Sequence, residues 1–146
     1  MCDNQKNGIK APTLKKYLEG KFIFLKQDLD SKEKCLDFII DVLEKDNAVY
    51  DEFREAIYKR EKLGVTCLDT GVALPHADPQ TIKKSRIILL TLKHPVDWGG
   101  TLVSLIVVTA FPEEEMNQIR DVINELYQLI GEKEDVNLSL IHISEP

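Results

Sequence analysis

The chain has 146 residues, 43% of them hydrophobic, which suits one domain with a buried core and leaves too little for two ordinary ones. Nineteen basic residues against 25 acidic ones give a net charge of −6, and no basic stripe offsets it, which argues against direct nucleic-acid binding. No apolar run is long enough to span a bilayer and no apolar signal region opens the chain, so it reads as cytoplasmic and without membrane insertion.

Residues 1–13 carry no helical or strand period and read as a lead-in or linker remnant. Asp30-Ser31-Lys32-Glu33 is a helix-start signal, an acceptor side chain with Glu three residues on. Leu36, Ile39, Ile40 and Leu43 follow at helical spacing, widened by Cys35, Phe38 and Val42, and the helix should stop near Lys45-Asp46-Asn47. A second helical pattern runs through Tyr50, Phe53, Ile57 and Arg60 and ends at Gly64 as a C′ residue.

The texture then changes. Gly71-Val72-Ala73-Leu74 is a short apolar run closed by Pro75. Residues 86–92 (RIILLTL) and 102–109 (LVSLIVVT) are β-branched and apolar almost throughout, as strands covered on both faces would be. Pro95 and Pro112 end or interrupt pairing after each. A last helix is predicted over 113–130, with Met116, Ile119, Val122, Ile123, Leu126 and Ile130 on one face and Glu113, Glu114 and Glu115 at its positive end. The order implies an α/β fold, a single-domain sandwich of a mixed central sheet with helices packed on it. Residues 138–146 (LSLIHISEP) resemble the translation of a sequencing-library adaptor and read as a non-native tail, so His142 is given no function.

The three cysteines, Cys2, Cys35 and Cys67, are odd in number and lack any C-x-x-C pair, which points to reduced thiols. Residues 60–78 (REKLGVTCLDTGVALPHAD) hold the chemistry: a polar turn, a short buried strand, then Pro75-His76 at the strand's exit. The proline stiffens the backbone that presents the imidazole, which suits a nucleophile or general base. Local spacing by itself favours a surface histidine beside a turn proline. Arg60 by spacing is a solvated charge at a helix end, and His94, in a polar bend between strands, is left as surface. No metal is assigned, because His76 and Asp78 supply two ligands where a site needs more, and no cofactor is called for.

The stretch R-E-K-L-G-V-T…T-G-V-A-L-P-H resembles the active-site signature of the type-2 enzyme IIA domains, fructose/mannitol class, of the phosphoenolpyruvate-dependent sugar phosphotransferase system. The resemblance extends over residues 14–137, with a leading acidic helix, two helices before Arg60, and Pro95-Val96-Asp97-Trp98-Gly99 between two strands. It implies an α/β phosphocarrier domain, C-terminally truncated here, in which His76 accepts a phosphoryl group from phospho-HPr and passes it to a IIB domain. It places Arg60 beside that phosphoryl group, with Thr66, Thr70 and Gly71 in the approaching turn. Positioning and donors to the phosphoryl oxygens supply most of such a transfer, and a neutral imidazole with one nitrogen tied to an acceptor meets the need.

Two departures stand out. Leu68-Asp69-Thr70-Gly71 replaces a G-N-G turn and brings the acidic Asp69 near the site. Met116, with Asn117 beside it, stands where transport-class members carry a second histidine, and a thioether cannot donate a hydrogen bond. The alternative to a transport phosphocarrier is therefore a phosphorylatable regulatory domain of a sugar-responsive transcriptional regulator, acting on neighbouring regulator domains. A third is a partner-binding domain whose site no longer accepts phosphate.

Overall fold

The computed structural model describes residues 12–18, 22–64, 67–68 and 71–130. In chain order these form α1 (Pro12–Tyr17), β1 (Ile23–Gln27), α2 (Lys32–Lys45), α3 (Phe53–Leu63), β2 (Cys67–Leu68), β3 (Val72–Ala73), a 3₁₀ turn (Pro79–Thr81), β4 (Arg86–Asp97), β5 (Leu102–Ala110), a 3₁₀ segment (Glu113–Gln118) and α4 (Ile119–Ile130).

The strands lie in the order β1-β4-β5-β3-β2. β1 is parallel to β4, β4 antiparallel to β5, β5 parallel to β3, and β3 antiparallel to β2, so the sheet is mixed as expected. Leu90 faces Ile106 and Leu89 faces Val107 across the central pair. Strand alternation then sorts the core. Ile88, Leu90, Ile106 and Val108 pack against Leu36, Ile39, Ile40 and Leu43 of α2 and Phe53 and Ile57 of α3. Ile87, Leu89, Leu105 and Val107 pack on the other face against Leu14 of α1 and Val122 and Leu126 of α4. Both faces of β4 and β5 are therefore covered, which is why their sequences are apolar with little alternation. Each fully buried aliphatic side chain contributes ~1.5–3 kcal/mol.

Several boundaries differ from the sequence reading. The cap of α2 is Ser31, whose Oγ accepts from the Lys34 backbone N–H at 3.1 Å, while Asp30 instead pairs with Lys34 Nζ at 3.1 Å. Gly64 does end α3, but with extended backbone (φ 160°) rather than a left-handed cap. Tyr50 precedes α3 and is exposed. Pro95 lies within the span of β4, beside a shift of register between Thr91 and Val96, and His94 is exposed on that strand rather than in a bend. The segment 113–118 is 3₁₀, not α; its Pro112 cap supplies no side-chain acceptor, and Glu115 is drawn off to the Ser85 hydroxyl at 2.6 Å.

β1, β2 and the 3₁₀ turn at Pro79–Thr81 had no counterpart in the sequence reading, and the leading helix differs from the one expected. β1 is an edge strand, its Leu25 and Lys26 exposed, with Lys26 at φ 54° donating its backbone N–H to Thr91 Oγ1 at 2.7 Å. α1 has no acid in its first turn and carries Lys15 and Lys16, so it is not an acidic helix. Its first amide groups are capped from α4: Thr13 and Leu14 donate to the two Glu125 carboxylate oxygens at 3.1 and 2.7 Å. Residues 1–11, with Cys2, and 131–146, with the expected tail and His142, lie outside the described residues.

Candidate functional site

β3 delivers the histidine. It is two residues long, with Val72 buried against the α1/α4 side and Ala73 against the α2/α3 side. Gly71 leads into it at φ +86°, and its carbonyl accepts from the Ser104 backbone N–H at 3.0 Å. A side chain at residue 71 would be strained by that φ and would meet the Leu102 carbonyl at 3.2 Å.

Beyond β3, Pro75 is buried and His76 turns outward, exposed. The loop is then pinned again. Asp78 Oδ1 accepts from the Gln80 backbone N–H at 3.0 Å, and the Asp78 carbonyl accepts the Thr81 hydroxyl at 2.6 Å. Thr81 in turn accepts from the Tyr50 backbone N–H at 2.8 Å, tying the loop to the connection between α2 and α3. Asp78 thus caps a turn. His76 is the imidazole that this pinned loop holds in the open.

Its Nδ1 lies 3.1 Å from the Leu74 carbonyl oxygen. A carbonyl accepts and cannot donate, so this contact requires the proton on Nδ1 and leaves the lone pair of a neutral ring on Nε2. That is the tautomer a nucleophilic Nε2 needs.

Arg60 reaches the same place from the last turn of α3. It and His76 line both a cleft of about 440 Å³ and a shallower depression of about 600 Å³ beside it. The Arg60 Nη1 donates to the Gly64 carbonyl at 3.4 Å, which turns the guanidinium along the end of the helix. The shallow side carries Glu52, Glu55 and Asp78 with Lys59, so the acidic rim is offset locally by two cations. The cleft side is floored by Leu74, Phe111, Met116, Ile119 and Leu126. A flat arginine fork beside an imidazole can hold phosphoryl oxygens in bidentate fashion.

Thr66, Thr70 and Asp69 lie outside the described residues. Gly71 is where the turn was expected. Met116 does line the cleft, half-buried, and packs against the α1/α4 core as well. The sequence reading missed Cys67 and Thr109 as cleft residues; Cys67 stands inside the singled-out segment, whereas Thr109 gave no signal, since it reads as one more strand residue. Ile123, expected on the buried face of the last helix, is 36% exposed and turns to the cleft. Among the described residues no helix is long and apolar enough to cross a membrane, and no group of three or more His, Cys, Asp or Glu could hold a metal ion.

The fold is shared with known structures. It superposes on the crystal structure of IIA mannitol from Escherichia coli with a TM-score of 0.72 at 21% identity, covering 88% of this chain and 99% of that one. The E. coli complex of enzyme IIAMTL with phosphorylated enzyme IIBMTL gives 0.71 at 22% identity, covering 88% of each. In sequence the chain is 31% identical over 107 residues to the transcriptional regulator ManR of Bacillus subtilis, 73% of this chain and 16% of that protein. It is 27% identical over 116 residues to the probable licABCH operon regulator of the same organism, 80% of this chain and 18% of that one. The chain therefore spans under a fifth of the length of these two regulators. The mannitol-specific phosphotransferase enzyme IIA component of Staphylococcus aureus is 26% identical over 118 residues, 79% of this chain and 80% of its own. The family model for the phosphoenolpyruvate-dependent sugar phosphotransferase system, EIIA 2, matches residues 16–143, and the chain belongs to that family.

Proposed function

We propose that His76 is a phosphoryl acceptor. Its Nε2 lone pair attacks the phosphorus of phospho-HPr; the new P–N bond forms as the donor's bond to phosphorus breaks, with that electron pair returning to the donor. The Arg60 guanidinium and the Thr66 and Thr70 hydroxyls bind the phosphoryl oxygens, and the phosphoryl group then passes to a IIB domain in the cytoplasm. One piece of geometry carries the reading: an exposed imidazole with Nδ1 held on the Leu74 carbonyl, in one cleft with Arg60. The transfer needs positioning and charge stabilisation more than covalent work from the protein.

A second reading, the regulatory one, has its own support. ManR and the licABCH operon regulator are among the similar proteins, and Met116 in the cleft offers the phosphoryl group no donor. In that case phosphorylation of His76 changes the activity of neighbouring regulator domains instead of feeding transport. Phosphotransfer from phosphoenolpyruvate through enzyme I and HPr, read by intact mass, tests the shared core of both. An acid-labile phosphate present on the wild type and absent from His76→Ala is the expected result. A folded wild type that stays unmodified would overturn the acceptor role and leave a partner-binding domain. Onward transfer to IIB domains then separates transport from regulation.

A further inference from the structure

Next to Arg60 on the last turn of α3 stands Glu61, and the two side chains go opposite ways. Arg60 lines the cleft, while Glu61 is buried, its side chain 3% exposed, and pairs with Lys32 Nζ at 3.0 Å. Lys32 is the first residue of α2, and Glu61 lies in the last turn of α3. Both charges therefore sit at the helix ends that the macrodipole disfavours. A buried ion pair is in general a poor source of net stability. Two like disadvantages in one pair point to a use other than stability.

The surroundings suggest which. Lys32 Nζ lies 5.5 Å from the centroid of the Trp98 ring, within cation–π range, and Trp98 is wholly buried. The Trp98 carbonyl accepts from Cys67 Sγ at 3.8 Å, and Cys67 lines the cleft with Arg60 and His76. The pair therefore locks the C-terminal turn of α3 to α2 and to the end of β4, one residue from the guanidinium.

We infer that Lys32 and Glu61 are positioning residues for Arg60, holding the end of α3 so that the guanidinium meets a phosphoryl group on His76. This rests on the phosphoryl-acceptor reading. The rate of His76 phosphorylation by phospho-HPr is measured for Glu61→Gln, Lys32→Met and Lys32→Arg, each also in an Arg60→Gln background. Far-UV circular dichroism and the urea unfolding midpoint confirm folding. Glu61→Gln and Lys32→Met should slow phosphorylation by about tenfold or more, since small misplacements are costly in a preorganised site. Lys32→Arg, which keeps the pair, should stay within about twofold, and with Arg60→Gln present the Glu61→Gln effect should shrink to about twofold or less. Should Glu61→Gln not fold, Lys32→Met carries the same comparison from a partly exposed side chain. Wild-type rates in the variants, or an equal slowing with and without Arg60, would overturn the inference alone. A wild type that is never phosphorylated would overturn it together with the acceptor reading.

Discussion

Gly71 is the hinge on which the histidine's placement turns, and three alanine substitutions separate the reasons. At Gly71 a methyl group meets both a φ of +86° and the Leu102 carbonyl at 3.2 Å; at Gly100 it meets φ +107° and open space. At Gly64 the backbone is extended and nothing lies within 4 Å. Backbone strain of this kind costs ~1–2 kcal/mol. The contact at Gly71 is with backbone of the central strand β5, whose Ser104 N–H also bonds the Gly71 carbonyl at 3.0 Å, so β3 must shift to relieve it. Gly71→Ala should therefore lose ~2–3 kcal/mol, Gly100→Ala ~1–2, and Gly64→Ala nothing or gain ~0.5 through the unfolded chain. For a domain of this size each kcal/mol is about 3 °C in Tm. Urea unfolding followed by circular dichroism orders the three. Because β3 carries His76, Gly71→Ala should also slow phosphorylation, while Gly100→Ala should not. Equal losses at residues 71 and 100 with unchanged phosphorylation would refute the account of β3 as a strand fixed by that contact.

Ser31→Ala removes the acceptor for the Lys34 backbone N–H and should cost ~1 kcal/mol, read from the urea midpoint. Burial pushes the Cys35 thiol up to about 11 from its ordinary value of 9.0, aided by the nearby carboxylates of Asp30 and Glu33. The unfolded thiol ionises first, so its contribution to stability is intact below pH 9 and lost between about pH 9 and 11. Urea midpoints across that range should fall more steeply for wild type than for Cys35→Ala, and equal slopes would remove the thiol as the cause. Met116→Leu should leave phosphorylation of His76 within about twofold, since a thioether offers no donor, whereas Arg60→Gln should slow it about 10- to 100-fold by loss of charge-assisted hydrogen bonds; phosphohistidine formation followed by intact mass reads both.

The legible parts of the sequence are those with a strong local period or a fixed local chemistry. The stripe Leu36, Ile39, Ile40, Leu43 is buried as its spacing demands, and the two apolar runs became β4 and β5 with both faces covered. β1 was missed although Phe22-Ile23-Phe24-Leu25 is an apolar run of strand length; what no local pattern gave was its alternation, since Leu25 and Lys26 are both exposed, or its parallel pairing with β4. α1 has six residues, too few for a period, and its first amide groups are satisfied by Glu125, more than a hundred positions away. Ile123 kept helical spacing yet faces the cleft, because the period says which residues share a face and not where that face ends.

For the site, the sequence by itself determined the histidine's setting: Pro75 fixes the backbone, and the short strand before it is apolar enough to be buried, so His76 emerges at a stiff exit, while any role beyond that of a surface histidine came from the family signature and not from the spacing. The family signature lies in the same stretch, since the residues that carry it fall within 60–76. The tautomer follows from a local contact, the Leu74 carbonyl two residues back at 3.1 Å, whereas the tertiary structure alone decided the meeting of Arg60 with His76 in one cleft. It also decided the burial of Glu61 against Lys32, 29 positions apart in the chain, at 3.0 Å. Local sequence sets backbone dihedrals and the faces of helices and strands; which charges are desolvated together depends on how those elements pack, and no spacing along the chain records that.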